Sequence, residues 1–576
     1  MKNKEIADLL KRMGTLLEIK GENAFKIRAY YKAADNIAGL SEDVAVVSEE
    51  GRLGEIPGIG KTIAEKIGEW LATGQLKAYG KLTAEVPETL LEIVDIPTVG
   101  PKKAHLFFDK LKITTIDQLR AAATDGRLAQ LPGVQQKTID NILHGIGVVA
   151  KGMERINRGT ADQIASEIVA DLRQLSCVRK IDVAGSFRRG RETVGDLDLL
   201  AEATDPAEVM RVFTGLPTVA AVQAHGDTKS SVRTRQNVQV DLRVVDGESY
   251  CAALLYFTGS KYFNIKLRQI AKKGGMKVNE YGIFKELKNS ERKLAGQTEK
   301  ECFAVLGLPF VPPELREEMG AAELFDEDQP RRVPDLIEQR HIKGEFHVHS
   351  TYSDGKNTIA EMADKAKELG YHYLAVSDHS QALRVAHGVV EADLKRKRRE
   401  IDALNTKEKS FGILMGSEVE IDTNGKLDYN DRILSEFDVV IAAIHSGFQQ
   451  TSQQLTKRLV NACRNKHVNI IAHPLGVHFG KREPYDVDFD EVCRAAADNN
   501  VFLEINSFPI RLDLDSSHVY AARRHGVKFV INTDAHRAEH MDYMKFGISI
   551  ARRGWLGKAD VLNTRTWKQV AAALKK

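Results

Sequence analysis

From about residue 340 to the end of the chain, strand-like apolar runs alternate with helical segments. This regularity restricts the fold of that region more than any other feature of the sequence. The strand-like runs are 345–349, 373–378, 412–421, 438–445, 469–473, 502–506 and 528–534. Strands that alternate with helices form parallel sheets, because each helix carries the chain back to the start of the next strand. Seven such runs predict a parallel α/β barrel, whose active site would lie at the carboxyl ends of the strands.

Side chains that can bind metal ions occur at or near the ends of most of these predicted strands. They are His347, His349, Asp354, His379, Glu418, His445, His473, Asp534 and His536. A single buried histidine is usually structural, but that explanation fails for nine residues that share one edge of a barrel. Imidazole and carboxylate ligands together suit Zn²⁺, Mn²⁺ or Fe²⁺. We therefore predict a cluster of metal ions at this edge.

Residues 1 to about 150 are predicted to be helical, with short turns that contain apolar residues, proline and glycine. Apolar residues recur at helical spacing, for example at Ile6, Leu9, Leu10, Met13 and Leu17. The turns lie at 56–60, 96–100 and 131–134 and form a degenerate repeat.

A turn that leads into a helix presents backbone N–H groups to an anion, so the repeat predicts helix-hairpin-helix contacts with DNA phosphates. The residues concerned are Gly58, Gly60, Lys61 and Gly100. For one turn alone, an ordinary corner between two helices explains the pattern about as well. Thr98 and Gln135 stand where glycine is expected, which predicts weaker contacts at the other two turns.

Three aspartates predict a second metal site in the middle of the chain. Asp196 and Asp198 are two positions apart on a predicted strand, so both carboxylates face the same side. Residues 238–244 alternate between apolar and polar, which places Asp241 on a polar face. Convergent carboxylates suit two Mg²⁺ or Mn²⁺ ions, which can hold the attacking and the leaving oxygen of a displacement at phosphorus.

The residues just before these aspartates could bind a triphosphate. Ser186 offers a hydroxyl donor and Arg189 a positive charge, next to the flexible positions Gly185 and Gly195. Two aspartates in a D-x-D pattern are a weak signal alone. Combined with this preceding segment and with a third aspartate, they resemble the nucleotidyltransferase superfamily.

Residues 256–264 and 279–282, with Arg268, resemble the nucleotide-selecting segment of DNA polymerase beta and its relatives, the family X DNA polymerases. The resemblance implies that Tyr256 and Phe257 lie under the sugar and exclude a ribose 2′-hydroxyl. It also implies that Asn264 and Arg268 approach the minor-groove side of the new base pair, while Gly259 belongs to the same nucleotide-binding segment.

Residues 26–34 and 53–76 resemble the lyase domain of the same family. The resemblance implies that Lys66 attacks the sugar of a 5′ deoxyribose phosphate through a Schiff base, and that Lys26 and Tyr30 help to form the 5′-phosphate pocket. A Schiff-base lysine needs a lowered pKa, and the sequence does not reveal what would lower it. An ordinary surface lysine therefore remains an alternative for Lys66.

The ligand set of the predicted barrel resembles the PHP (polymerase and histidinol phosphatase) domain from about Gly344 to the end of the chain. The resemblance implies three ions, Zn²⁺ or Mn²⁺, with Glu418 as a bridging ligand and Glu345 as a supporting residue. Arg482 and Arg511 are candidate phosphate ligands.

These features predict a multidomain protein: a helix-hairpin-helix region, an α+β nucleotidyltransferase palm with a thumb, and a distorted (β/α)7 PHP barrel. The predicted boundaries are 1–83 for a lyase-like domain, 84–152 for a helix-hairpin-helix subdomain, 153–246 for the palm, 247–311 for the thumb, 312–337 for an exposed linker and 338–576 for the barrel. Five dispersed cysteines and the lack of a long apolar run predict a cytoplasmic protein without a membrane segment, which we expect to be a monomer.

The expected function is short-gap DNA synthesis in repair, with gapped or primer-template DNA and dNTPs as partners. The barrel is expected to act as a 3′–5′ exonuclease, and cutting at abasic sites is compatible with the same chemistry. Two alternatives remain for the barrel: a small-molecule phosphatase or pyrophosphatase, or a structural metal site. A DNA-end-binding scaffold without catalysis is the alternative for the whole chain, and the intact aspartates speak against it.

Overall fold

The computed structural model describes residues 2–38, 40, 43–96, 99–136, 138–143, 145–146, 155–288, 290–296, 298–325 and 332–575. The chain divides into two compact units, Met1–Glu154 with Gly480–Arg482, and Arg155–Phe479 with Glu483–Lys576. Among the described residues, no helix combines the length and the apolar character needed to cross a membrane.

The first unit is helical, as the sequence predicts. Its helices are Asn3–Lys20, Ala24–Ala38, Val44–Glu49, Lys61–Thr73, Lys77–Glu85, Leu90–Val94, Pro101–Leu111 and Ile116–Thr124, with short 3-10 turns at Leu53–Glu55 and Leu128–Gln130. The apolar positions that repeat along the first helix are all buried in the core of this unit. Gly21, with φ of 82°, ends that helix in a left-handed conformation that favours glycine.

The second unit begins with the palm, a five-stranded sheet. The strand order is Val178–Val183, Asp196–Ala203, Gln239–Val245, Lys229–Thr234 and Val219–His225. The second and third of these strands are parallel neighbours, and the other pairs are antiparallel. Helices Arg158–Arg173 and Pro206–Thr214 bury apolar faces against the sheet, and a small two-stranded ladder joins Ile156–Asn157 to Thr193–Val194.

The thumb follows the palm. It contains helices Tyr250–Thr258, Lys261–Lys273 and Glu299–Val305, and a three-stranded antiparallel sheet of Met276–Asn279, Gly282–Leu287 and Ser290–Ala295.

The prediction of an exposed linker at 312–337 is wrong for the described residues of that segment. A 3-10 turn, Pro313–Leu315, and a helix, Glu318–Leu324, pack in one core with Tyr520 and Trp555 of the barrel. Arg316 in this segment is 0% exposed. Proline and acidic residues suggested a solvated connector, but two of those acids are bound by arginines: Glu314 by Arg552 at 2.7 Å and Glu317 by Arg189 at 2.9 Å.

The prediction of a (β/α)7 barrel is confirmed. Its seven parallel strands, in sheet order, are Gly344–Val348, Tyr373–Val376, Gly412–Glu420, Val439–Ala443, Ile470–Ile471, Phe502–Asn506 and Phe529–Asn532. A single bridge from Val348 to Ala535 joins the first strand to the chain just after the last, so the barrel is nearly closed.

Helices surround this barrel. They are Ile359–Glu368, Glu391–Lys407, Asp431–Leu434, Ser452–Arg464, Phe489–Asp498, Ser516–Arg524, Met544–Arg553 and Trp567–Leu574. Short 3-10 turns lie at Gln339–His341, Arg384–Ala386, Ala538–Tyr543, Lys558–Asp560 and Leu562–Thr564.

Candidate active sites

The three palm aspartates converge on adjacent parallel strands, as predicted. Asp198 and Asp241 are directly opposed in the register of these strands, and Asp196 lies two positions before Asp198 on the same side. Gln239 Nε2 donates to Asp241 Oδ2 at 3.0 Å, and the Ser231 hydroxyl donates to Asp241 Oδ1. These hydrogen bonds fix the orientation of the Asp241 carboxylate.

The electrostatics of this cluster fit divalent cations. Burial, together with repulsion from Asp196 and Asp241, raises the pKa of Asp198 to about 7. Carboxylates that repel one another in this way are stabilised when cations bind between them. Since the donors are all carboxylate oxygens, the site suits Mg²⁺ or Mn²⁺.

Gly185 allows the next turn of chain to approach the aspartates closely. Its φ is +59°, and a Cβ atom there would lie 2.2 Å from Asp198 Oδ2. A glycine is therefore required both for the backbone conformation and for the space. The turn leads into the short helix Gly185–Arg188, which contains Ser186, while Gly195 is exposed directly before Asp196.

The guanidinium group of Arg189 is held by protein oxygens. Arg189 Nη1 donates to the carbonyl oxygen of Thr258 at 2.6 Å, and Nε donates to Glu317 Oε1 at 2.9 Å. Planar guanidinium has five N–H donors, so these two contacts leave others for an anion. The role of Arg189 as a triphosphate ligand stays a prediction.

Several residues of the predicted nucleotide-selecting segment lie together. Tyr256, Asn264 and Arg268 line one cleft with Asn279 and Gly282. Asn264 Nδ2 donates to the carbonyl oxygen of Tyr256 at 2.7 Å, which ties the two helices of the segment together. Gly259, between those helices, has a φ of +68°.

Phe257 has a different environment from Tyr256. Its ring meets the Tyr256 ring edge-on at 5.2 Å between centroids, and the Arg243 guanidinium lies 4.8 Å from the Phe257 centroid. Tyr256 therefore faces the cleft, while the Phe257 ring packs against the Tyr256 ring.

The predicted metal ligands of the barrel form three overlapping sets. Within each set, the candidate ligand atoms all lie within 4.8 Å of one another. The sets are His349, Asp354, His379 and His536; His347, His349, Glu418 and Asp534; and His379, Glu418 and His445. The ninth predicted ligand, His473, has its Nε2 atom 2.8 Å from Glu418 Oε1.

Glu418 lies at the centre of this cluster and is 1% exposed. Its Oε2 atom is 2.8 Å from His379 Nδ1 and 3.3 Å from His347 Nε2. Its Oε1 atom is 3.1 Å from His445 Nε2. Because the two oxygens face different histidines, this carboxylate has the geometry of a bridging ligand.

The cluster also fits transition-metal ions by the criterion of unsatisfied polar atoms. Within the described part of the chain, several buried atoms of the cluster make no hydrogen bond of acceptable geometry, although some lie close to one another: His347 Nε2, His349 Nδ1, His379 Nδ1, Glu418 Oε2 and His445 Nε2. Leaving a buried polar atom unpaired costs about 1–3 kcal/mol, and cations bound by the overlapping ligand sets would satisfy these atoms. Burial lowers the pKa of His349 and of His473 to about 4, which keeps both imidazoles in the neutral form that binds metals.

Sequence reasoning missed two carboxylates that hold these histidines in place. His347 Nδ1 lies 2.7 Å from Glu504 Oε1, and His445 Nδ1 lies 2.8 Å from Glu420 Oε2. Such contacts fix which ring nitrogen faces a metal. Glu504 is 0% exposed on the strand Phe502–Asn506, so an acid within an apolar strand was the signal.

Glu345 supports the cluster through its contact with Thr533. Both the backbone N–H and the hydroxyl of Thr533 donate to Glu345 Oε1, and burial raises the pKa of Glu345 to about 8. Thr533 directly precedes Asp534, so this contact positions the strand end that carries a ligand.

The two candidate phosphate ligands, Arg511 and Arg482, lie in different parts of the chain. Arg511 Nε is 3.1 Å from Asp534 Oδ2 at the edge of the cluster, whereas Arg482 belongs to the first compact unit.

In the helical unit, the predicted lyase residues are partly brought together. Lys66 Nζ lies 5.9 Å from the centroid of the Tyr30 ring and 3.4 Å from the carbonyl oxygen of Thr62. Tyr30 is 5% exposed, and Lys26 Nζ lies 3.2 Å from Glu22 Oε1.

The predicted phosphate-binding turns have the expected local geometry where they are described. Gly58 has a φ of +80°, Gly60 is the N-cap of the helix that begins at Lys61, and Gly100 is the N-cap of Pro101–Leu111. Gly133 in the third turn has a φ of +77°. Thr98 of the second turn lies outside the described residues.

Models of known families match five segments of the chain. They are a helix-hairpin-helix domain (1–76), a SAM-like helix-hairpin-helix tandem (90–146), the DNA polymerase beta palm (155–247), the DNA polymerase beta thumb (253–317) and the PHP domain (345–508). The DNA polymerase/3′-5′ exonuclease PolX of Bacillus subtilis is 41% identical over 578 aligned residues, which cover 100% of both chains. The chain belongs to the family X DNA polymerases with a PHP domain.

Two further relatives match separate parts of this family X polymerase. DNA polymerase lambda of Rattus norvegicus is 26% identical over 344 residues, which cover 55% of this chain and 56% of that protein. A probable phosphatase of Thermoanaerobacter is 29% identical over 235 residues, which cover 38% of this chain and 90% of that protein.

We expect Tyr256 to contribute more than Phe257 to sugar selection in this family X polymerase. Of these two residues, Tyr256 lines the cleft and Phe257 does not. Tyr256→Ala should lower the preference for dNTP over rNTP by about tenfold, the size of one lost steric or packing contact. Phe257→Ala should have a smaller effect. The measurement is the ratio of incorporation efficiencies for dNTP and rNTP. An unchanged ratio in both variants would place the selection elsewhere.

Lys66 is expected to support release of deoxyribose phosphate by this family X polymerase. Borohydride trapping on a 5′-incised abasic substrate would measure the Schiff base. The Lys66→Ala protein should trap several-fold less DNA than the parent. Lys61→Ala, at the start of the same helix, is the control for general loss of DNA contact. Equal trapping by parent and Lys66→Ala would show that another amine reacts.

Proposed function

We propose that this family X polymerase fills short gaps in DNA during repair by adding one dNMP per cycle to a 3′ end. The observation that supports this most is the convergence of Asp196, Asp198 and Asp241 on two parallel strands, beside the Gly185 turn. Gapped or primer-template DNA and dNTPs are the proposed substrates.

The palm residues have distinct proposed roles in this reaction. The three aspartates would hold Mg²⁺ or Mn²⁺, which supplies Lewis-acid stabilisation of the reacting oxygens. Ser186 and Arg189 would bind the triphosphate, and the hydrogen bonds from Ser231 and Gln239 keep Asp241 in position. Tyr256, Asn264 and Arg268 would orient the sugar and the base in the cleft that they line.

We further propose that the barrel is a 3′–5′ exonuclease, with cutting at abasic sites as a related activity of the same centre. The nine ligands would hold Zn²⁺ or Mn²⁺. The proposal of three ions is supported by the three overlapping sets that eight of these ligands form. These ions supply Lewis-acid activation of water and of the phosphodiester. Glu504 and Glu420 would keep the imidazoles oriented, and Arg511 would provide positive charge at the edge of the centre.

A small-molecule phosphatase is a second candidate for the activity of the barrel. The alignment with the probable phosphatase of Thermoanaerobacter covers 90% of that protein. One assay separates the candidates. A 5′-labelled primer on a gapped template is extended with dNTPs and Mg²⁺ or Mn²⁺ and is then incubated without dNTPs. Extension followed by stepwise shortening supports the polymerase and exonuclease. An extended primer that stays intact, with release of phosphate from a nucleoside monophosphate or from pyrophosphate, supports the second candidate.

We also propose that the protein acts as a monomer in the cytoplasm. Its mass in solution, measured by light scattering with and without gapped DNA, would test the first part of this proposal. Fractionation of cells, with immunodetection of the chain, would test the second.

A further inference from the structure

Arg553 of the barrel contacts both the palm and the end of the thumb. It is the last residue of the helix Met544–Arg553 and is 8% exposed. Its Nη1 atom donates to the carbonyl oxygen of Arg189 at 3.0 Å and to Glu317 Oε1 at 3.2 Å. Its Nε atom donates to the Ser516 hydroxyl at 3.2 Å within the barrel. One side chain thus joins three parts of the second unit.

Glu317 is shared among several guanidinium groups. Its Oε1 atom accepts from Arg189 Nε and from Arg553 Nη1, while its Oε2 atom lies 3.6 Å from Arg191 Nη1. Burial alone would raise the pKa of Glu317, but Arg189 and Arg553 hold it below its ordinary value. The carboxylate is therefore ionised at neutral pH, and its charge is divided among three cations.

This division of charge matters for Arg189. A carboxylate paired with Arg189 alone would neutralise that guanidinium and weaken its attraction for a phosphate. Arg553 takes part of the Glu317 charge and also fixes the Arg189 backbone through the carbonyl contact. The neighbouring acid Glu192 lies 3.7 Å from Arg553 Nε, so three arginines here face two carboxylates and leave an excess of positive charge.

We propose that Arg553, although it belongs to the PHP barrel, is a positioning residue for dNTP binding at the polymerase site. It acts by holding Glu317 and the Arg189 backbone, so that the Arg189 guanidinium can face the triphosphate. The inference rests on the proposed polymerase function and on the triphosphate role proposed for Arg189. It makes the barrel a structural part of the nucleotide site.

A purely structural role for Arg553, as one more link between barrel and thumb, predicts a different outcome. The adjacent residue supplies the matched control. Arg552 Nε donates to Glu314 Oε1 at 2.7 Å, and its Nη1 atom donates to the carbonyl oxygen of Ile337 at 2.9 Å. Arg552→Met and Arg553→Met remove the same charge from the same helix, but only Arg553 contacts Arg189 and Glu317.

The test is single-nucleotide gap filling by the full chain with Mg²⁺, in which KM for dNTP and kcat are measured separately. We expect Arg553→Met to raise KM for dNTP about tenfold, the effect of one lost charge-assisted hydrogen bond, with a smaller change in kcat. Arg552→Met should leave KM near the parent value. Arg553→Lys keeps the charge but not the fork of donors, so its KM should lie between those of the parent and Arg553→Met.

The Arg189→Met variant tests whether the effect of Arg553 on nucleotide binding passes through Arg189. If Arg553 acts through Arg189, adding Arg553→Met to Arg189→Met should raise KM little further, because the effects of coupled residues are not additive. Thermal melting and hydrolysis of a model phosphodiester by each variant report on folding and on the barrel. If Arg553→Met does not fold, Arg553→Lys tests the proposal instead. Its KM for dNTP is expected to be at least about threefold above that of the parent.

An unchanged KM in folded Arg553→Met, an equal rise in Arg552→Met, or additive effects with Arg189→Met would each overturn the proposal. Failure of the proposed function itself looks different, since the parent protein would then extend no primer under any condition.

Discussion

Asp241→Ala is expected to abolish nucleotide addition, while DNA binding and hydrolysis by the barrel persist. Asp241 faces Asp198 across two parallel strands, and removal of one of three carboxylates leaves the cations with an incomplete set of ligands. We expect the rate of primer extension to fall on the order of 10³-fold or more, because charge stabilisation in the transition state depends on these ions. Single-turnover extension of a gapped primer measures this loss.

Ser231→Ala provides a graded control for Asp241→Ala. It removes only the hydroxyl that donates to Asp241 and leaves the carboxylate in place. Loss of such a supporting contact should lower the rate about 10-fold to 100-fold. Gel-shift binding to gapped DNA and hydrolysis of a model phosphodiester should match the parent in both variants. Extension by Asp241→Ala at the rate of the parent would refute the assignment of the polymerase centre.

Glu418→Ala is expected to remove metal from the barrel and to stop its hydrolytic activity, while primer extension is spared. Glu418 belongs to two of the three overlapping ligand sets, so more than one ion loses a ligand when it is removed. The substitution should therefore lower the metal content by more than one ion per chain. Hydrolysis should fall on the order of 10³-fold, and added Mn²⁺ should restore little of it. Metal analysis by mass spectrometry beside a nuclease assay measures both effects.

Glu436→Ala is a matched control, because it removes an exposed carboxylate of the same barrel that pairs only loosely with Arg432, at 3.4 Å. Its metal content and activity should equal those of the parent. A parent protein that binds no transition metal would contradict the cluster. A metal-loaded parent without hydrolytic activity would leave a structural role for the ions.

The parent, Glu418→Ala and Glu436→Ala proteins should be compared as full chains and not as barrel fragments. Tyr520 and Trp555 of the barrel share a core with residues of the thumb and of the segment after it. A fragment that starts near Asp335 would expose part of that core and would lose Glu314, the carboxylate that binds Arg552. We therefore expect such a fragment to be less stable than the barrel within the chain, which thermal melting of the two proteins would measure.

Much of both candidate centres could be predicted from the sequence, because the relevant patterns are local. Residues two apart on a strand share a face, which placed Asp196 beside Asp198. Ligands at the ends of successive parallel strands meet at one edge, which brought His347, His445 and His473 together. In both cases, spacing along the chain implies proximity once the type of element is known.

The supporting contacts and the contacts between domains could be read only from the tertiary structure. Glu504 supports His347 from 157 positions away, and Arg553 contacts Arg189 from 364 positions away. No spacing rule connects such residues, since their contact depends on how complete elements pack. The same reason explains why the prediction of an exposed linker at 312–337 is wrong. Its proline and acidic residues indicated exposure to solvent. Whether they are exposed depends on the arginines and aromatic rings that other parts of the fold place against them. The sequence by itself therefore determined the elements and the chemical groups of the two centres. Packing between palm, thumb and barrel decided how those groups are held, because burial and charge pairing are properties of surfaces that meet only in the folded chain.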